Sequence, residues 1–276
     1  MNEKICFYWA PFPRVKSYYD MIDVSAEYGM TAIEGFSMFE FQTPDVEAAK
    51  KIRQYADSKN VKFVCFSVYI NLVGEDSAEK LRTLKGYADV ARILGSPYLH
   101  HTIANAFSHP EKIVPRREEL FEKGVCAVRE IYDYAKSIGV RTIYEEQGYV
   151  FNGIDGFGRF LDTVDRNVGV VADFANICQA GEDVLGFIDK YSDRIVHAHI
   201  KDVTITEEDR SGDEMKTLTG KYMNEAVIGE GIVRIKEGIS RLQKLGYSGY
   251  YGIEYSAKSD DSPTVANSIS FIDEAL

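Results

Sequence analysis

Short apolar runs alternate with longer segments whose apolar residues recur every three or four positions. KICFYW (residues 4–9) and TAIEGF (31–36) read as strands on either side of a helical stretch ending at Tyr28-Gly29. Thr43, with Pro44 after it, offers a helix start, and Val46, Ala49, Ile52 and Ala56 then share one face. VKFVCFSV (61–68) is the third strand. Asp76 opens a helix carrying Leu81, Leu84, Ala88 and Ala91 that stops at Gly95. YLHHT (98–102) is the fourth strand. A long helix with Leu120, Val128, Ile131 and Ala135 inward follows and ends at Gly139. VRTIYEEQG, VGVVADF and IVHAHIKD are the fifth, sixth and seventh strands. A last helix with Ile235, Ile239, Leu242 and Leu245 stops at Gly246, before the eighth strand, GYYGIEYS.

Eight strands separated by helices predict a parallel sheet, and eight such units in 276 residues predict a closed (β/α)8 TIM barrel. No Pro/Gly/Ser-rich linker divides the chain, so residues 1–276 read as one domain. An open doubly wound sheet is the alternative. It would place a glycine-rich phosphate turn after its first strand, and the turn here is WAPFPR.

Composition narrows the functional classes. The chain is 45% hydrophobic and 27% charged, with a net charge of −11. Such a surface repels nucleic acid, and no long basic run offsets it. No apolar stretch is long enough to span a membrane, and no secretory signal is visible at the N-terminus. The four cysteines lie far apart with no C-x-x-C, which reads as reduced thiols in a cytoplasmic protein. A homo-oligomer is left open.

Barrel enzymes carry their chemistry at the C-terminal ends of the strands. There the fifth strand has Glu145-Glu146, the sixth Asp173, the seventh His199 and the eighth Glu254. Ionised carboxylates on a barrel interior are costly unless paired or bound to metal, and clustered ones repel one another. A divalent cation removes that repulsion. Three carboxylates and an imidazole suit Mn²⁺, Mg²⁺ or Co²⁺, and favour Zn²⁺ less.

The order Glu, Asp, His, Glu on strands five to eight, in IYEEQG, VGVVADFANI, HAHIKDV and YGIEYS, resembles the xylose-isomerase-like barrel superfamily of sugar isomerases and epimerases, ketose 3-epimerases among them. IGEGIVRIKEGISRLQKLGYSGY also looks like that group's Gly-Glu-Gly turn and final helix. The likeness is best over residues 139–254. It implies Glu145, Asp173, His199 and Glu254 as metal ligands, and it selects Glu145 over Glu146, leaving Glu146 as a salt-bridge partner. It also implies that the second histidine of H-x-H binds metal. His197, one pleat deeper on the same face, is then a supporting or substrate-facing group.

Further candidates surround these. Lys201 and Asp202 lie just beyond the seventh strand, where a loop aims them at a ligand. One of His100 and His101 faces the site while the other packs under a helix. His109 reads as a loop residue. Trp9 and Phe12 could form an apolar wall against a sugar face. Glu230, in the Gly-Glu-Gly turn, faces the site by the resemblance only. The long polar segment 204–225 lacks clear periodicity and would lie over the site as a lid. The chain departs from the family pattern in carrying Asn176 where a substrate-contacting histidine is frequent, and Glu146-Gln147 where Asn-His is frequent. These departures leave the sugar open.

The chemistry so implied is isomerisation or epimerisation of a small-molecule sugar by proton transfer through an enediolate. Glu145 and Glu254 act as the acid/base pair, and Asp173 and His199 mainly hold the ion. Three alternatives stand beside it. One is dehydration of a cyclic polyol ketone (an inosose). Another is phosphodiester cleavage of the AP-endonuclease type, which would need more histidine ligands than the chain offers. The last is a barrel that binds sugar without catalysis.

Overall fold

The computed structural model describes residues 3–104, 110–209 and 214–276. His109 and residues 210–213 of the segment expected as a lid lie outside them. The strands are β1 (Ile5–Phe7), β2 (Ala32–Phe36), β3 (Lys62–Val68), β4 (Tyr98–His101), β5 (Arg141–Tyr144), β6 (Gly169–Asp173), β7 (Ile195–Ile200), β8 (Asp202–Thr206), β9 (Met215–Lys216), β10 (Tyr222–Ala226) and β11 (Tyr251–Ile253). Eight of them pair in parallel around a closed barrel in the order β1-β11-β7-β6-β5-β4-β3-β2. This is the (β/α)8 architecture that the alternation of apolar runs predicts.

The helices are α1 (Tyr18–Glu27), α2 (Val46–Ser58), α3 (Ser77–Leu94), the single turn α4 (Pro110–Ile113), α5 (Arg117–Ser137), α6 (Ile154–Val164), α7 (Asn176–Gln179), α8 (Val184–Tyr191), α9 (Ile235–Lys244) and α10 (Thr264–Asp273). Their apolar faces and the outward faces of the strands form one continuous core that includes Ile33, Phe66, Leu99, Ala172 and Ile253. Two sequence expectations shift in detail. Helix α2 starts not at Thr43-Pro44 but after Asp45, whose carboxylate accepts from the amides of Glu47 and Ala48 at 2.9 Å, and Val46 is left 37% exposed. Leu245, expected inward, lies past the end of α9 and is 43% exposed.

The registers bring polar side chains to one end of the barrel. The β2–β3 pairing shifts at the Ile33–Glu34 step and the β6–β7 pairing at the Val170–Val171 step, just before carboxylates that turn inward. Bulges of this kind re-aim side chains next to sites. Asp173 pairs with His199 across β6 and β7, and His199 with Gly252 across β7 and β11. A Cβ on Gly252 would lie 3.1 Å from Glu34 Oε2 and 3.4 Å from the His199 ring, so glycine in YYGIE makes room for both.

The segment expected as an irregular lid is largely a three-stranded antiparallel sheet, β8-β10-β9. Val203 and Met223 pack with Ala175 beneath it, with Ile205 and Met215 alongside. Strands this short read as polar loop in the sequence, because only their inner positions are apolar. Asp202 ties this sheet to the barrel. Its Oδ2 accepts from the amides of Gly229 (3.0 Å) and Gly231 (2.9 Å), and its Oδ1 from those of Val203 (2.9 Å) and Val233 (3.1 Å). A Cβ on Gly231 would meet Asp202 Oδ1 at 2.1 Å. The Gly-Glu-Gly turn therefore wraps a carboxylate that points into the fold and not at a ligand. Asp202→Ala leaves several amides unpaired in a buried pocket. Chemical unfolding should show a loss of about 3 kcal/mol, within the range for orphaned buried donors. A loss under about 0.5 kcal/mol would contradict this role.

Candidate functional site

At the C-terminal end of the barrel, Glu145 just past β5, Asp173 at the end of β6 and His199 on β7 converge, and their ligand-type atoms lie within 4.8 Å of one another. His199 Nδ1 stands 3.0 Å from Glu145 Oε2, 4.0 Å from Asp173 Oδ2 and 3.9 Å from Glu254 Oε2. One imidazole nitrogen thus faces all three carboxylates that the sequence singles out. Asp173 Oδ1 accepts from the amides of Ala175 and Asn176 at 2.8 Å, which orients Oδ2 toward the cluster.

The other nitrogen of His199 faces Glu34, on β2, at 3.2 Å. Glu34 also takes His197 Nε2 at 2.6 Å and the Ser67 hydroxyl at 2.5 Å, and it is fully buried. Burial alone would raise its pKa. The paired His199 and His197 instead hold it well below the usual carboxylate value. His199 shows the converse: burial opposes its charge, but Glu34 and Glu145 push its pKa well above the ordinary histidine value. The Tyr8 ring stacks on His199 at 4.4 Å between centroids.

Lys201 reaches into the same cluster. Its Nζ lies 3.1 Å from Asp173 Oδ2, 3.2 Å from Glu254 Oε1 and 3.2 Å from Asn176 Oδ1. Burial disfavours its charge, yet Asp173, Glu254 and Glu145 hold its pKa above the usual lysine value. The two glutamates differ in setting. Burial raises both, but His100, His199 and Lys201 bring Glu145 below the usual range. For Glu254, burial together with Asp173 outweighs Lys201, and its pKa ends above the usual range.

A cavity of about 340 Å³ opens above the cluster. Glu145, Glu254, Lys201, Asn176, His100 and Gln147 supply its polar lining, and Tyr8, Trp9, Phe36, Tyr69, Met215 and Met223 its apolar wall. The mixture of an apolar wall with a few converging polar groups is that of a small-molecule site. The accessory sheet forms part of the wall, so it does stand over the site, as a sheet and not a loop.

The remaining sequence candidates divide. Trp9, His100, Asn176 and Lys201 line the cavity. His101 does not: strand alternation turns it outward, where Nε2 pairs with the Tyr144 hydroxyl at 2.9 Å and Nδ1 with Thr102 O at 2.8 Å. Glu146 does not line the cavity and forms no salt bridge among the described residues. Both of its oxygens are buried without a hydrogen-bond partner among the described residues, and burial next to Asp173 and Glu145 raises its pKa well above the usual value. His197 lies below the cavity on Glu34, so it supports and does not touch a ligand. Glu230 is exposed on the turn around Asp202 and does not reach the site. Phe12 is buried in the core. Sequence reasoning passed over Glu34, Tyr8, Phe36 and Tyr69, and named Gln147 only as a departure from the family pattern. For Glu34 the signal was present, as a carboxylate inside the apolar run TAIEGF.

A family profile described as "Xylose isomerase-like TIM barrel" matches residues 22–275. An inosose dehydratase of Clostridium perfringens (strain 13 / Type A) is 22% identical over 258 residues, covering 89% of this chain and 84% of that protein. Among solved structures, D-psicose 3-epimerase from Clostridium cellulolyticum H10 with D-tagatose superimposes with a TM-score of 0.79 at 16% identity, covering 99% of each chain. A xylose isomerase-like TIM barrel protein from Mycobacterium smegmatis in complex with magnesium does so with a TM-score of 0.69 at 16% identity, covering 94% of this chain and 87% of that one. At these identities the structural likeness speaks to the fold.

Proposed function

Because the chain belongs to the xylose isomerase-like TIM-barrel family, we propose that it is a divalent-metal-dependent isomerase or epimerase acting on a ketose or related polyol ketone by proton transfer next to a carbonyl. The observation that carries this reading is the convergence of His199 Nδ1 on Glu145, Asp173 and Glu254 at 3.0, 4.0 and 3.9 Å beneath one cavity.

The donor set fits a hard divalent cation. It is rich in carboxylate oxygen, and its one imidazole has the far nitrogen on a carboxylate, as metal-ligating histidines usually do. Glu145, Asp173, His199 and Glu254 would hold the ion, with Mn²⁺ or Mg²⁺ matching the oxygen-rich donors best. A bound cation would neutralise the crowded carboxylates and polarise a substrate carbonyl. Glu145 takes the proton from the carbon next to the carbonyl, and Glu254 passes one from solvent to the other face or to the neighbouring carbon. Lys201 places a positive charge beside the developing enediolate, and Asn176 hydrogen-bonds a hydroxyl. The aromatic wall of Trp9, Phe36 and Tyr69 packs against the C–H face of the sugar.

A second reading is favoured by the inosose dehydratase relative: loss of water from a cyclic polyol ketone begins with the same proton abstraction. Protein purified without chelator should carry about one divalent ion per chain, as expected of one four-ligand site, and Asp173→Ala and His199→Ala should lower that content. In deuterated water, incubation with a panel of ketoses and inososes should place deuterium next to the carbonyl. Retained water in the product marks isomerisation or epimerisation, and lost water marks dehydration. Full metal content in both alanine variants would refute the ligand assignment.

A further inference from the structure

Tyr8 is the first residue past β1, and its amide donates to Ile253 O at 3.2 Å. Its ring lies flat on that of His199, with 4.4 Å between centroids and 11° between planes. Trp9 at 5.4 Å and Phe36 at 5.8 Å hold its other sides. Glycine at 252 leaves room for it, since a Cβ there would stand 3.4 Å from Tyr8 Cβ. The residue is only 6% exposed, and it lines the cavity. Among the described residues its hydroxyl has no hydrogen-bond partner, and it is not shut off from the cavity.

A substrate ketone brings an oxygen that accepts hydrogen bonds and cannot donate them. That oxygen gains negative charge as the neighbouring carbon loses its proton. Most donors around the cluster are already committed. The three N–H bonds of Lys201 meet Asp173 Oδ2, Glu254 Oε1 and Asn176 Oδ1 at 3.1, 3.2 and 3.2 Å. Gln147 Nε2 is on Glu145 Oε1 at 2.5 Å, and the Thr102 hydroxyl is on Ile70 O. His100 turns one nitrogen to Ser67, and its other nitrogen is closed off. The Tyr8 hydroxyl and the side-chain amide nitrogen of Asn176 remain. A phenol keeps its proton at neutral pH and is a stronger donor than a carboxamide, so its bond gains more as charge builds on the acceptor.

We infer that the Tyr8 hydroxyl donates a hydrogen bond to the carbonyl oxygen of the substrate, and that this bond strengthens as the oxygen gains charge. This rests on the reading of the site as one for a polyhydroxylated ketone and adds the side chain that touches the reacting oxygen. Tyr8 keeps its own proton throughout. The stack on His199 and the contacts with Trp9 and Phe36 fix the ring, so the hydroxyl is in place before a substrate enters.

Tyr8→Phe keeps the ring and its stacking and removes the donor alone. Two labelled ketones serve as probes, dihydroxyacetone and 2-keto-myo-inositol, each with ¹³C at the carbonyl. Infrared difference spectra with Mg²⁺-loaded protein should show the bound carbonyl stretch at lower frequency in the wild type than in Tyr8→Phe. Trp9 is the one tryptophan of the chain and touches Tyr8, so its fluorescence reports binding in both proteins. For a ketone that is turned over, Tyr8→Phe should lower kcat by about 10²–10³-fold, the usual cost of losing one donor to a developing oxyanion. KM should rise less than about 10-fold, because a neutral hydrogen bond contributes little before charge develops. A bound ketone with the same carbonyl band in both proteins overturns the inference, and so does an undiminished kcat in Tyr8→Phe. A Tyr8-dependent band with no entry of solvent deuterium beside the carbonyl upholds the hydrogen bond and counts against the proposed reaction instead. If neither probe nor any other ketone of the panel binds, both fall together.

Discussion

Glu145→Gln and Glu254→Gln should each lower turnover by about 10²–10⁴-fold, the usual contribution of a general acid or base, while divalent-metal content falls only in part. Glutamine keeps an oxygen ligand and nearly the same shape, so the substitution separates holding an ion from moving a proton. His100, His199 and Lys201 hold the pKa of Glu145 below the usual carboxylate range despite its burial. Activity that needs charged Glu145 is lost as pH falls through that lowered pKa, and a cation on the site, which also favours the charged form, keeps the same sign. Deuterium uptake from solvent next to the carbonyl should fall in parallel with turnover in both variants. Wild-type turnover in either variant would remove that glutamate from the proton path.

The barrel was legible because parallel strands buried on both faces read as continuous apolar runs, and each helix between them carries its own 3.6-residue stripe. Glu145, Asp173, His199 and Glu254 stood out because each interrupts such a run where a strand ends. The alternation of side chains also foretold that one member of Glu145-Glu146 and one of His100-His101 would face away. Which one did so came from the resemblance for the first pair, and for the second only from the structure, where the Tyr144 hydroxyl holds His101 outward. Glu34 was missed for a physical reason. It lies inside β2, not at its end, and its partners are 163 and 165 residues away along the chain. The Gly-Glu-Gly turn misled in the opposite sense. Gly231 is required by the carboxylate of Asp202, Gly229 by its φ of +93° beside the Phe271 ring, and the glutamate between them faces solvent. The accessory sheet was hidden because β9 is two residues long, β8 buries only Asp202 and Val203, and β10 buries only Met223.

The opening of HAHIKD with two histidines is accounted for by Glu34, and replacing that residue should have the largest effect on stability. Glu34→Ala is expected to destabilise the protein by about 3–5 kcal/mol, the range for removing one partner of a buried charged pair. His197, His199 and Ser67 would all lose their acceptor in a space that water does not reach. Glu34→Gln keeps the volume but can accept at only one atom, and it should fall between the wild type and the alanine variant. The pH dependence gives a second handle, read in metal-stripped protein by urea unfolding. Glu34 has a lowered pKa, so its contribution is present above the unfolded carboxyl value of about 4.3 and is lost as pH falls through the folded one. His199 has a raised pKa, so its contribution is present below the unfolded value of about 6.5 and is lost as pH rises through the folded one. Wild-type stability should therefore decline on the alkaline side with a slope of up to about 1.4 kcal/mol per pH unit, the value for one proton. In Glu34→Gln that slope should largely flatten, because the charge that holds the His199 proton has gone. A variant as stable as the wild type, with the same alkaline slope, would show that the cluster draws its order from the carboxylates above it and not from the one below.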